Sequence, residues 1–208
     1  MRRPVGLSVV ALLMAGCASS PEPPARPPAD SLRAVWAAWT AARDSFYRAP
    51  DSPVLEADRA AFAGLAYFPY DSTFTFAAPL QPVLAHDTLW MQTSTGEMRP
   101  YVPYGLLPFF SRGRTFRLTA YKELGSDDAA HLFVPFADRT TGHTTYGGGR
   151  YLDLRERPGQ RGLYVLDFNF AYHPYCVVNP AYSCPVPPPE NRLDVAVTAG
   201  ERFGTAAP

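Results

Sequence analysis

From Thr73 onward the chain is a succession of short apolar runs, rich in Phe, Tyr, Val and Thr, cut by turn residues at short intervals. Runs of this length are too short for helices, and their β-branched and aromatic content suits a pleated surface. Thr88 to Thr93 and Met98 to Val102 flank Ser94-Thr-Gly-Glu97, which predicts one hairpin; Leu106 to Phe110 and Thr115 to Lys122 flank Ser111-Arg-Gly-Arg114, which predicts another. Leu132 to Phe136 follows the turn at Gly125-Ser-Asp-Asp128, and Leu193 to Val197 reads as a last strand. With no long helical pattern between these strands and no fixed internal period, the expected fold is mainly β: an antiparallel β-sandwich or open barrel. One or two helices precede it. Asp30 or Ser31 caps a helix to about Tyr47, on which Leu32, Val35, Trp36, Trp39 and Phe46 recur at helical spacing. Ser52-Pro53 starts a second, shorter one. The tryptophans of the first helix read as contacts to the domain rather than to a membrane, because few basic residues back them.

The first residues carry a different message. Arg2-Arg3, the apolar run from Val5 to Ala15 and Met14-Ala-Gly-Cys17 have the anatomy of a secretory signal, and the run is too short to span a bilayer. Small residues directly before a cysteine resemble a lipobox, so Cys17 is the expected lipidation site, with cleavage before it. Residues 18–29 hold five prolines and read as an extended tether. The expected organisation is a signal peptide over 1–16, a lipidated Cys17 and tether over 17–29, and a single domain over 30–208. Ala18, by resemblance to envelope lipoproteins, favours an outer membrane facing the periplasm. Basic and acidic residues number 19 each, and loss of Arg2 and Arg3 with the leader leaves 17 basic residues against 19 acidic. Such a balance argues against a nucleic-acid partner, which needs a basic face.

Polar residues of unusual kind gather between Asp138 and Arg192. The run contains Asp138-Arg-Thr-Thr-Gly142, Gly147-Gly-Gly-Arg-Tyr-Leu-Asp153, Leu166-Asp-Phe-Asn169, Tyr172-His-Pro-Tyr-Cys176, Cys184-Pro185 and Glu190-Asn-Arg192. Glycines beside Arg150 let backbone amides approach an anion, and the guanidinium fork suits carboxylate or phosphate, although the helix start of a phosphate loop is missing. The same glycines also fit a tight turn. Period two puts Tyr151 and Asp153 on one face of a strand, and Asp167 and Asn169 on one face of another. Those carboxylates are either an acid and base pair or members of a buried network in which Arg150 satisfies Asp153 or Asp167. The candidate ligand-binding residues are Asp138, Thr141, Tyr146, Arg150, Tyr151, Asp167, Asn169, Asn191 and Arg192.

Cys176 and Cys184 are expected to pair in an exported protein, closing a short loop worth about 2 to 3 kcal/mol by the chain-entropy argument. The competing arrangement makes Asp153, Asp167, Cys176 and His173 a hydrolase-like set with the thiol as nucleophile and the imidazole as its base. The cysteine spacing is not that of a zinc knuckle, so no metal and no cofactor are expected.

These segments resemble the bacterial and archaeal family known as domain of unknown function 1684. The resemblance is dense from Asp138 to Arg192, extends to Arg59, Phe62 and the ending Ala199-Gly-Glu201, and implies no reaction. The family tends to have Asn where His173 stands, which weakens an imidazole base. Taken together, the expectation is a lipid-anchored envelope protein whose domain binds a small polar or anionic ligand, or a protein partner. A hydrolase and a ligand-free structural protein are the alternatives.

Overall fold

The computed structural model describes residues 29–84, 87–156, 159 and 161–204. The expected signal peptide, Cys17 and residues 18–28 of the tether lie outside them. Helix α1 (Ala29–Arg48) is followed by the short turn α2 (Glu56–Arg59). Ten strands follow, with bounds β1 Ala66–Tyr67, β2 Thr75–Pro79, β3 Gln81–Pro82, β4 Leu89–Gln92, β5 Met98–Ser111, β6 Arg114–Glu123, β7 His131–Phe136, β8 Arg150–Arg155, β9 Leu163–Asp167 and β10 Glu201–Arg202. Every strand pair is antiparallel, as the runs predict, and the sheets are open. The main sheet has the order β3-β5-β6-β7-β8 with β4 also on β5, while β2 pairs β9 and β1 pairs β10.

Strand β5 joins the two expected runs into one of 14 residues. Its register with β6 shifts between Pro103 and Gly105. A bulge of this kind inserts one residue and reverses the alternation of side chains beyond it. Tyr101 accordingly lies on one face of the sheet with Tyr121, Phe133 and Tyr151, whereas Leu107 lies on the other with Leu118, Val134 and Leu152. The second group is the larger core, closed by Leu166 and Phe168 from the β9 side. The first group is a smaller aromatic core, closed by Cys184 and, at its edge, Tyr172 and Cys176. At the far end of β5 the chain turns through Arg112 (φ 49) and Gly113 (φ 75), the two positive values that a tight hairpin turn requires.

Two expectations are corrected. Leu193 to Val197 is not a strand. It runs beside residues 137–139, with Leu193 N–H donating to the Ala137 carbonyl and Arg139 N–H to the Val195 carbonyl, and buries Leu193 and Val197 individually. The docked face of α1 is Leu32, Trp36, Trp39, Arg43 and Tyr47; Val35 and Phe46 are exposed. Trp36 packs on Tyr67 and Tyr70 and donates its indole N–H to the Asn169 carbonyl at 3.0 Å, while Trp39 packs on Tyr67 and Phe170. Arginine replaces an apolar residue on that face because its stem and guanidinium lie over the rings of Trp39, Tyr47 and Tyr172.

Candidate functional site

The polar segments expected to form one site divide into a sealed part and an open part. The sealed part centres on Arg150, at the start of β8. Period two points it into the larger core with Leu152, and none of its side chain is exposed. It pairs with Asp138 at 2.9 Å and donates to the carbonyls of Val197 (2.8 Å), Glu201 (3.1 Å) and Ala199. Its partner is therefore Asp138, not Asp153 or Asp167. Burial draws the Arg150 pKa down, and the Asp138 charge opposes that. Asp138 also accepts from the amides of Thr140 and Val197, and Thr141 Oγ1 accepts from the Asp138 amide. The ion pair thus ties the 138–142 turn to the C-terminal segment, which has almost no ladder of its own.

Other members of the expected set do similar work. Asn191, fully buried, accepts from Thr119 N–H at 2.7 Å and donates to the carbonyls of Thr119 and Pro135, so it bridges β6 and β7 where their ladder is thin. Asn169 reads the Asp71 backbone in both directions and is held by Asp167, whose carboxylate caps the turn over Phe168–Phe170. Gly149 has φ +82, and a Cβ there would sit 2.5 Å from the Phe136 carbonyl and 2.7 Å from Pro187. The glycine is required for close packing. Arg192 is exposed, its backbone bridging Ala137.

Glu201 is the residue that sequence reasoning missed as a hub. It is fully buried, lies 2.7 Å from the Arg43 guanidinium, and accepts from the His173 amide at 2.7 Å and the Tyr67 hydroxyl at 3.4 Å. Burial pushes its carboxyl up, and Arg43 with these donors draws it back. The only sequence signal was an acid in an otherwise apolar ending, Ala199-Gly-Glu201.

The candidate catalytic residues do not form one constellation. His173 accepts the Tyr146 amide N–H on Nε2 at 3.3 Å, and burial, with Arg150 and Arg43 nearby, lowers its pKa to about 3. It is a neutral, structural imidazole: its ring bonds to the Tyr146 amide rather than to a thiol, and its backbone amide, not the ring, donates to Glu201. Cys176 instead faces the Tyr146 hydroxyl at 3.7 Å, and its amide points at Cys184 Sγ at 3.4 Å. The two cysteines are free, with the Cys176 amide against Cys184 Sγ. Burial pushes the Cys184 thiol up to about 11, which disfavours the thiolate at neutral pH.

The open part is a cleft of about 300 Å³ beside the smaller aromatic core. β8 contributes Tyr151 and Asp153, the segment after β9 contributes Tyr172, Tyr175, Tyr182 and Cys184, β5 contributes Arg99 and α1 contributes Arg43. Asp153 accepts from the Tyr172 hydroxyl at 2.6 Å and lies 2.7 Å from His131 Nε2, a contact that raises the His131 pKa. A somewhat larger hollow, about 360 Å³, lies by the β5–β6 turn between Asp71, Phe76, Phe110 and the exposed Arg112, and takes nothing from the Asp138 to Arg192 run. A third hollow, about 280 Å³, also draws on that run, through Leu152, Asp153, Leu154 and Asp167, but gathers no tyrosine; the four tyrosines and two arginines that meet in the 300 Å³ cleft make it the candidate site. Arg43 and Arg99 were not foreseen there, because nothing local marks a helix arginine or a strand arginine as cleft-lining.

A family model described as a protein of unknown function, DUF1684, matches residues 60–202. The chain belongs to this family. Among solved structures, this DUF1684 protein is similar to an uncharacterised protein of Haloarcula marismortui determined by solution NMR. The two are 33% identical with a TM-score of 0.66, over 85% of this chain and 97% of the other. No curated protein matches.

Proposed function

We propose that this DUF1684 protein is an envelope lipoprotein, anchored through Cys17, whose domain binds a small polar or anionic molecule in the cleft between β8 and the Tyr172 to Pro185 segment. The observation that carries the binding reading is the convergence there of Tyr151, Asp153, Tyr172 and Cys184 with two arginines from distant elements. Small-molecule sites are concave, mostly apolar, and furnished with a few convergent polar groups, and this cleft falls at the small end of their size range. What supports the anchor is the leader, with its cysteine after two small residues and its proline-rich continuation.

A metabolite screen by thermal shift tests the binding: a hit should raise the midpoint of the wild type and lose its effect in Tyr172→Phe or Asp153→Asn. Hits that act equally on both variants would place binding elsewhere. For the anchor, Cys17→Ser should move the protein from the membrane to the soluble fraction. A purely structural role is the second reading, favoured by one observation: every oxygen and all but one nitrogen of the Asp138–Arg150 pair is engaged by the chain itself.

A further inference from the structure

The polar groups lining the cleft can be accounted for one by one. Tyr151 donates its hydroxyl to the Pro185 carbonyl, and Tyr172 donates to Asp153. Ser183 exchanges hydrogen bonds with Thr93 and Thr95. Arg43 is neutralised by Glu201 and lies 4.7 Å from the Tyr172 ring centre. Asp153 has His131 against its other oxygen. What is left over is the Arg99 guanidinium, which has no hydrogen-bond or ion-pair partner among the described residues, and the hydroxyls of Tyr175 and Tyr182. Those two rings meet edge to face at 5.3 Å.

From this remainder we propose that Arg99 anchors the carboxylate of a small planar aromatic acid, with the Tyr175 and Tyr182 rings against its face or edge. The proposal rests on the cleft being the binding site. Arg99 is the lining guanidinium with no carboxylate against it, and a monoanion would supply one. A phosphate dianion would leave a second negative charge without a partner in a partly desolvated cleft, which is costly. A half-buried guanidinium offers two parallel N–H donors to a carboxylate, the geometry in which such pairs are strongest. Aromatic pairs in offset or edge contact gain free energy beyond what their buried area supplies, through the ring quadrupoles that a saturated ring lacks, and the volume of about 300 Å³ leaves room for a single ring and its substituents.

The test uses the full chain carrying Cys17→Ser, titrated calorimetrically with benzoate, cyclohexanecarboxylate, benzamide and inorganic phosphate. Benzoate should bind tightest. Arg99→Gln should weaken it at least tenfold, Arg99→Lys should recover part of the loss, and Tyr182→Leu should weaken benzoate more than cyclohexanecarboxylate. Unchanged thermal midpoints would show that the Arg99 variants fold. If benzamide binds as well as benzoate, or phosphate better, with Tyr172→Phe weakening either one, the cleft is a site but the aromatic-acid assignment is wrong. If none of the four probes responds to Arg99 or Tyr172 replacement, the assignment and the cleft reading both fall.

Discussion

Two arginines of this protein, Arg150 and Arg99, both lie in strands of the main sheet and face opposite outcomes. Arg150 points into the larger core and is bonded to one carboxylate and three carbonyls. Arg99 lines the cleft, and its guanidinium has no hydrogen-bond or ion-pair partner among the described residues. The first sits in the densest polar motif of the chain, the second in a stretch with no motif at all. The contrast teaches that clustering of polar residue types marks where backbone needs support as readily as where a ligand binds. Spare hydrogen-bonding capacity at an open surface is the better sign of a site.

The comparison is broken most severely by removing the sealed arginine. Arg150→Met leaves Asp138 as an uncompensated buried charge and three carbonyls without donors, so it should cost about 3 to 5 kcal/mol in urea denaturation. A loss below about 1 kcal/mol would mean that the Asp138–Arg150 pair does not hold the C-terminal segment. Gly200→Ala, at φ +78 with a Cβ 2.5 Å from the Ala171 carbonyl, tests the same segment through its backbone. It should lower stability by about 2 kcal/mol or more through strain and steric conflict, while Gly96→Ala, in open space, should cost less.

Asn191→Ala removes the side-chain bridge between β6 and β7 and should cost about 2 kcal/mol, since Thr119 N–H and two carbonyls lose their partner. Smaller again, within about one pH unit below 6.5, is the effect of His173. Its folded pKa is about 3 against an ordinary 6.5. The unfolded chain therefore takes up a proton that the folded chain does not, and stability falls as pH drops from about 6.5 towards 3. His173→Asn should flatten that part of the pH profile. An unchanged slope would show that the imidazole is not held neutral. The smallest effect on stability belongs to the open arginine: Arg99→Gln should shift it by no more than about 0.5 kcal/mol, as for other surface replacements without partners.

Much of the fold was legible because it depends on local rules. The two hairpin turns, the antiparallel pairing and the helix before the sheet follow from turn residues and periodicity. The joining of Met98–Val102 with Leu106–Phe110 into one strand was not legible, since the bulge between Pro103 and Gly105 is decided by what packs on either face. The face of α1 was read too broadly for the same reason: period alone admits Val35, and only the docked domain selects Arg43 in place of an apolar residue.

By itself the sequence determined the β-rich class, the position of the motif region, the family, and the adjacency of two cysteines in one loop. It also determined that Arg150 and Asp138 need partners, since such groups are not buried alone. Only the tertiary structure decided which partners they take. Asp153 and Asp167 were equally eligible for Arg150, and the turn at Asp138 won because the C-terminal segment returns past β8 and closes that corner. Glu201, Arg43 and Arg99 gain their roles in the same way. Each is separated from what it meets by more chain than any periodicity spans, so only packing brings them together.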